Sequence, residues 1–193
     1  MRVIAGAAKG RKLRAGKGQT IRPTGSKVKG AIFSILASRF AVGEAVVLDL
    51  FAGAGSLGIE ALSRGAAHVT FVDRDADAAR ILRANVGNCG LEDRARVLQL
   101  PLPQGLRRLG TAGFDGAFLD PPYGKGLAEL TLAELGRLGL LSPGAWVVVE
   151  HAVEDKLQDA YGPLRLTLAR RYGKTALAIF SCDGENERTP TQR

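Results

Sequence analysis

Three chemistry-rich side chains are scarce in this chain: its 193 residues include two cysteines, two histidines and one tryptophan. Cys89 and Cys182 have neither the spacing of a metal site nor the density of a disulfide framework. His68 and His151 stand apart, at or just after strand candidates, and read as structural or surface histidines. Long apolar runs are missing too: nothing approaches the roughly 18 uninterrupted apolar residues of a membrane span. The basic N-terminus has no apolar stretch behind it, so no secretory signal is expected. These absences point to a reduced cytoplasmic setting with no metal and no membrane. The 46% hydrophobic content is ample for the core of one domain, and a monomer is the plain expectation.

The most informative absence is of acid. Residues 1–43 carry ten Lys/Arg and not one Asp or Glu, while the remaining 150 carry 17 basic and 19 acidic residues. The whole net charge of +8 therefore belongs to the N-terminal fifth. Cations interleaved with glycine and small residues suit a phosphate backbone, where each neutralised phosphate releases counterions. The competing readings are a solvated basic tail and a surface for an acidic protein.

Residues 2–5 and 11–14 are spaced to pair as a hairpin around Ala8-Lys9-Gly10. A Gly-, Lys- and Arg-rich loop follows over 15–23. A helix is expected over roughly 26–40, capped by Thr24 or Ser26, with Val28, Ile32, Ile35 and Leu36 on one face. From residue 45 strands and helices alternate. Strands are expected at 46–50, 69–73, 95–100, 115–119 and 145–150, with helices near 56–64, 75–88, 104–110 and 126–139. Continuous apolar runs such as Ala145-Trp146-Val147-Val148-Val149-Glu150 suit strands covered on both faces. Such alternation implies a parallel doubly wound α/β sheet. Runs 164–171 and 175–181, separated by Tyr172-Gly173-Lys174, read as a final antiparallel pair. The organisation is a basic appendage (1–43), a catalytic domain (44–182) and a flexible tail (183–193).

Two turns carry the chemistry. The first, Gly53-Ala54-Gly55-Ser56-Leu57-Gly58, follows the strand Val46-Val47-Leu48-Asp49-Leu50 through Phe51 and Ala52. It fits G-x-G-x-x-G, a weak signal shared by many nucleoside binders. Asp49, inside the strand end, would repel a pyrophosphate and welcome an ammonium or a sulfonium. Asp73 ends the next strand, where a carboxylate accepts hydrogen bonds from ribose hydroxyls. S-adenosylmethionine has a ribose and positive charge but no phosphate, so both acids favour it over NAD. The candidate cofactor-binding set is Asp49, Phe51, Ala52, Gly53, Gly55, Ser56, Gly58, Asp73 and Arg74.

The second turn, Asp120-Pro121-Pro122-Tyr123, closes the apolar run 114–119. Parallel strands would set it beside the glycine turn at the carboxyl edge of the sheet. An arylamine or amide nitrogen is a poor nucleophile because its lone pair is delocalised. Accepting its two N–H groups at the Asp120 carboxylate and the Pro121 carbonyl would favour pyramidalisation and aim the lone pair at a methyl group. The prolines stiffen the turn. Tyr123 is placed to stack on a flipped-out base. Asp120, Pro121, Pro122 and Tyr123 are thus the candidate catalytic residues, and nothing in this chemistry needs a histidine base. Ser63-Arg64-Gly65 reads as a helix end with Gly65 as its left-handed cap, and Trp146 as core.

These segments resemble the bacterial 16S ribosomal RNA guanine-N2 methyltransferases of the RsmD type. The resemblance runs over roughly 1–182. It is carried by Met1 to Gly6 with Gly10-Arg11-Lys12-Leu13, by Ile21-Arg22-Pro23-Thr24 with Val28 and Phe33, by Asp49 to Gly55 with Leu57 to Gly65, by Asp120 to Tyr123, and by Tyr172-Gly173-Lys174-Thr175. It implies a class I S-adenosylmethionine-dependent methyltransferase fold, Rossmann-like, with a seven-stranded, mostly parallel sheet and an antiparallel last strand, behind a small basic hairpin and helix. It also implies methylation of one guanine N2 in 16S ribosomal RNA within a small-subunit particle. Arg2, Lys9, Arg11, Lys12, Arg14, Arg22, Thr24, Lys27 and Lys125 are then the candidate RNA-binding residues. Members of this family often have Glu where Asp73 stands. They commonly carry an acid near the adenine where this chain has Leu100-Pro101-Leu102-Pro103. Amino-methyltransferases acting on DNA adenine N6 or on protein glutamine share the second turn, and a non-catalytic RNA-binding assembly factor is the third alternative.

Overall fold

Val46-Val47-Leu48-Asp49-Leu50 is apolar on both faces, and it forms an interior strand of an eight-stranded sheet. The structure is a computed structural model describing residues 1–15, 26–110 and 113–183. Arg22, Thr24 and the tail from 184 onward therefore lie outside the described residues. In chain order the elements are α1 (Ser26–Arg39), β1 (Val46–Leu50), α2 (Ser56–Ser63), β2 (His68–Asp73), α3 (Ala76–Cys89), β3 (Ala95–Gln99), β4 (Phe114–Leu119), α4 (Leu127–Leu138), β5 (Leu141–Ala152), β6 (Ala160–Tyr161), β7 (Leu164–Tyr172) and β8 (Thr175–Cys182). The sheet order is β3-β2-β1-β4-β5-β8-β7-β6. The first five of these neighbours run parallel, and β8 enters antiparallel between β5 and β7. The seven expected strands are present, and the eighth is the two-residue edge strand β6.

Side chains alternate between the two faces of the sheet, as the pleat requires. Val47, Val69, Phe71, Phe118, Trp146 and Val148 meet α1, α2 and α3 on one face. Leu48, Leu50, Val72, Leu119, Val147 and Val149 meet α4 on the other. Each fully buried Leu, Ile, Val or Phe contributes about 1.5–3 kcal/mol relative to exposure.

Three expectations need correction. The helix near 104–110 is a short 3-10 segment, Gln104–Arg108, between Pro103 and Gly110. The strand at 145–150 is longer, reaching back to Leu141. Residues 141–144 lie before the expected strand, yet Phe114 pairs with Leu141 and a register shift before Gly116 absorbs the irregularity. On α1, Phe33 and Lys29 are also buried, at 1% exposure each.

The N-terminal segment does not stand off the domain. Val3, Ala8 and Leu13 pack into the same cluster as α1, α2 and the sheet. The hairpin closes through Val3 N–H to Arg11 carbonyl at 3.0 Å and Leu13 N–H to Met1 carbonyl at 2.9 Å. Glu60 of α2 is fully buried and accepts the backbone N–H groups of Ile4 and Ala5 at 2.8 and 3.0 Å. The same carboxylate pairs with Lys29 at 3.1 Å and Arg64 at 2.9 Å. Ser63 joins the hairpin by donating to the Ala5 carbonyl and accepting from Ala8 N–H at 3.0 Å. Gly6 has φ +81°, and a Cβ there would sit 1.7 Å from the Ser63 carbonyl oxygen, so only glycine permits this docking.

Candidate active site

The carboxyl ends of β1, β2, β4 and β5 set the two sequence motifs side by side. β1 pairs directly with β4, Leu50 opposite Leu119, and the Asp120 N–H points back to the Leu50 carbonyl at 3.5 Å. The turn after β1 reverses in a short space. Phe51 takes φ +60°, Gly53 +53° and Gly55 +81°. A positive φ at Phe51 is uncommon for a side chain with a Cβ and marks local strain of the kind found around ligands. At Gly55 a Cβ would lie 2.1 Å from Leu82 Cδ1, so α2 can start there only behind a glycine.

The two acids hold the turn from below and from the side. Asp73 Oδ2 accepts Gly53 N–H at 2.8 Å, and its Oδ1 accepts Asp75 N–H at 2.9 Å. Each carboxylate oxygen keeps a further lone pair for a hydroxyl. Asp49 is 2% exposed beneath the turn and accepts Gly58 N–H at 2.8 Å. Burial first, then the nearby Asp73 charge, push its carboxyl up to about 8, against the Gly58 hydrogen bond. Ala52, Ser56 and Phe51 flank these groups, and Arg74 is exposed beyond β2. These acceptors fit a ribose at Asp73, and Asp49 can ionise beneath a cation placed over the turn, which is the match S-adenosylmethionine requires. Beyond β3, Leu102 is buried and Leu100 half-buried, so an adenine there would meet apolar side chains.

In the second turn Pro121 is buried and Pro122 exposed, with Asp120 and Tyr123 half-buried. The Tyr123 hydroxyl donates to Glu150 Oε1 at 3.1 Å and lies 3.3 Å from Thr175 Oγ1. Burial and the neighbouring Glu150 and Asp120 charges push the phenol up to about 12, opposed by the Thr175 hydrogen bond, so it stays neutral. Its ring is thereby held from the hydroxyl end, with Glu150 on β5 and Thr175 at the start of β8. Neither residue is a site candidate from the sequence alone. Glu150 carried the same signal as Asp49 and Asp120, an acid closing an apolar strand. Thr175 belongs to the Tyr172-Gly173-Lys174-Thr175 motif of the family resemblance, which by itself assigns it no role.

The cations divide. Arg2, Lys9, Arg11, Lys12, Arg14, Lys27 and Lys125 are exposed. Lys29, one of the ten N-terminal cations, is buried against Glu60 and donates to the Arg2 carbonyl at 2.8 Å, so it cannot face a polyanion. Arg64 lies 4.7 Å over the Phe33 ring and on Glu60, a packing role. His151 is buried with Nδ1 2.9 Å from the Ala152 carbonyl. A separate cleft at the amino edge of the sheet, lined by Arg39, Glu44, Asp115 and Trp146, shares none of the site residues. No described helix is long and apolar enough to cross a membrane.

Comparison with known proteins adds lineage to this geometry. The family model described as Conserved hypothetical protein 95 matches residues 1–181. The chain is 40% identical over 186 residues to YlbH of Bacillus subtilis (strain 168), named as a candidate rRNA methyltransferase, covering 95% of this chain and 100% of that protein. It is 33% identical over 187 residues to ribosomal RNA small subunit methyltransferase D of Escherichia coli (strain K12), covering 97% and 92%. The solved structure of the methyltransferase candidate YhhF of Escherichia coli superposes with TM-score 0.81 at 32% identity over 95% of this chain and 98% of that one. An RNA methyltransferase from Salinibacter ruber, solved with S-adenosyl-L-homocysteine, shares the fold at TM-score 0.65 and 19% identity, over 88% and 97%. With a model spanning nearly its full length and such relatives, the chain belongs to the Conserved hypothetical protein 95 family, that of the RsmD-type methyltransferases.

Proposed function

We propose that this protein transfers a methyl group from S-adenosylmethionine to the exocyclic N2 of one guanine in 16S ribosomal RNA, acting on a small-subunit particle. The observation that carries the reaction class is the adjacency of the Asp120 turn to a cofactor turn backed by two carboxyls, Asp49 and Asp73. The RNA substrate rests on the names of the relatives and on the exposed cations of residues 2–14.

When bound, S-adenosylmethionine supplies an electrophilic methyl group on a sulfonium. Asp73 holds the ribose hydroxyls with the lone pairs that Gly53 and Asp75 leave free. Asp49 faces the cationic end from beneath the turn. The flipped guanine stacks on the Tyr123 ring, whose hydroxyl is fixed by Glu150 and Thr175; such stacking is worth about 1–3 kcal/mol. Asp120 and the Pro121 carbonyl accept the two N2 hydrogens and turn the lone pair toward the methyl. As the N2–CH3 bond would form and the S–CH3 bond break, S-adenosylhomocysteine would leave and the N2 proton would pass to water by way of Asp120. Rate enhancement comes from position and fixed dipoles, without a covalent intermediate.

The test is labelled S-adenosylmethionine with small subunits from cells lacking the endogenous activity, followed by nucleoside analysis. Label in N2-methylguanosine, lost in Asp120→Ala, is the expected result. Label in another nucleoside, or in DNA or protein acceptors only, would overturn it.

A further inference from the structure

The proposed reaction requires the RNA-facing hairpin and the cofactor turn in fixed register, and one buried side chain touches both. Asn85 lies on α3 and is 1% exposed. Its Oδ1 accepts the Arg14 N–H at 2.8 Å. Its Nδ2 donates to the Arg14 carbonyl at 3.0 Å and to the Ala54 carbonyl at 2.9 Å. The orientation of the amide is fixed, because the Arg14 N–H needs an acceptor and the two carbonyls need donors. Both donors of one amide are therefore committed to two different segments.

Those segments are the ones the reaction uses. Ala54 is the middle residue of the turn, between Gly53 at φ +53° and Gly55 at φ +81°. A turn of left-handed residues has little intrinsic rigidity, so the carbonyl held by Asn85 helps set its shape. Arg14 ends the hairpin arm, joined to the first residues by the Arg2–Lys12 bridge, whose exposed Arg11, Lys12 and Arg14 belong to the proposed RNA face. Asn88, nearly one turn further along α3, holds the same arm through the Lys12 carbonyl at 3.1 Å but has no bond to the turn.

We infer that Asn85 is a positioning residue that couples donor binding to RNA binding: the cofactor turn and the basic arm share one amide, so ordering either orders the other. The inference rests on the RNA reading above. A displacement of the arm by RNA moves the amide and with it the Ala54 carbonyl. A turn fixed by the donor fixes Arg14 in return. By linkage the effect is reciprocal, each ligand raising affinity for the other by the same factor.

The experiment is equilibrium dialysis of labelled S-adenosyl-L-homocysteine against the full chain, with and without saturating small ribosomal subunits that lack the modification. Wild type is expected to bind the nucleoside at least about five-fold more tightly with subunits present. Asn85→Asp keeps the acceptor and loses both donors; Asn85→Ser keeps one donor, too short to span both carbonyls. In whichever of these folds, the ratio is expected to fall to about one while each ligand still binds alone. Asn88→Ala loosens the same arm elsewhere and is expected to keep the ratio. A merely structural role would lower both affinities and leave the ratio intact, which would overturn the inference. So would independent binding in wild type, or a ratio lost equally in Asn88→Ala. A wild type that binds the nucleoside but no subunits would refute the RNA reading and this inference with it.

Discussion

A pH change between 6 and 9 addresses one group in the donor site above the rest, the Asp49 carboxyl. It is buried, and desolvation with the Asp73 charge pushes it up to about 8. At pH 7 the unliganded protein then holds this group protonated by about ten to one. A cation placed over it favours the carboxylate. If the bound form returns to its ordinary 3.8, donor binding at pH 7 releases about 0.9 proton. Only the ionised form binds tightly, so affinity rises with pH until the group is ionised without help. The gain between pH 6 and pH 8 is about 50-fold, levelling off above 8. Titration calorimetry with S-adenosylmethionine, in two buffers of different ionisation enthalpy, reads the released proton directly. Asp49→Asn serves as the reference, since ionisation of the ligand itself cancels between the two proteins. An affinity difference that is flat across this range, with no difference in proton release, would refute the placement of Asp49 opposite the donor's charge. The same shift has a stability consequence of defined sign. The native state binds this proton more tightly than the unfolded chain, so the stabilisation is full below about pH 4 and is lost as pH rises to about 8. Asp49→Asn is expected to flatten that decline in chemical denaturation without ligand.

Other outcomes follow from the same contacts. Tyr123→Ala is expected to cost about 1–3 kcal/mol in RNA affinity through lost stacking. Tyr123→Phe keeps the ring but frees it from Glu150 and Thr175, and is expected to lower kcat several-fold with little change in binding, read by single-turnover kinetics. Glu60→Gln leaves Lys29 buried beside a neutral amide and is expected to destabilise by about 3–5 kcal/mol in urea unfolding; a loss under about 1 kcal/mol would show that the pair is not the anchor of the hairpin. Converting Arg11, Lys12 and Arg22 to Ala is expected to reduce the salt slope of RNA binding by about 2, and an unchanged slope would remove them from the interface.

How much of this was legible depends on the range of the interaction. The boundaries of β1, α2, β2, α3 and α4 fall within a residue or two of their expected places, because the apolar period and the terminal glycines are local signals. The antiparallel end was legible for the same reason, two runs flanking Tyr172-Gly173-Lys174, of which the structure keeps Gly173 and Lys174 as the turn and pairs Tyr172 with Thr175. Residues 141–144 were not, since proline and glycine interrupt the apolar run before Ala145 and only pairing with β4 draws Leu141 into the strand. Charge misled in one place: Lys29 counts toward the basic excess by composition but is spent inside the fold on Glu60.

By itself the sequence determined the alternation that builds a parallel sheet, the two turns that must meet at its carboxyl edge, and the concentration of cations in the first 43 residues. These follow from side-chain period, backbone freedom and formal charge, which each residue carries wherever it goes. Only the tertiary structure decided that Glu60 clasps the hairpin, that Glu150 and Thr175 hold Tyr123, and that Asn85 joins Arg14 to Ala54. Those partners lie from 27 to 71 residues apart along the chain. A polar side chain has many possible partners at such distances. Burial selects among them, because inside the core most donors and acceptors are satisfied by whatever the fold brings within about 3 Å.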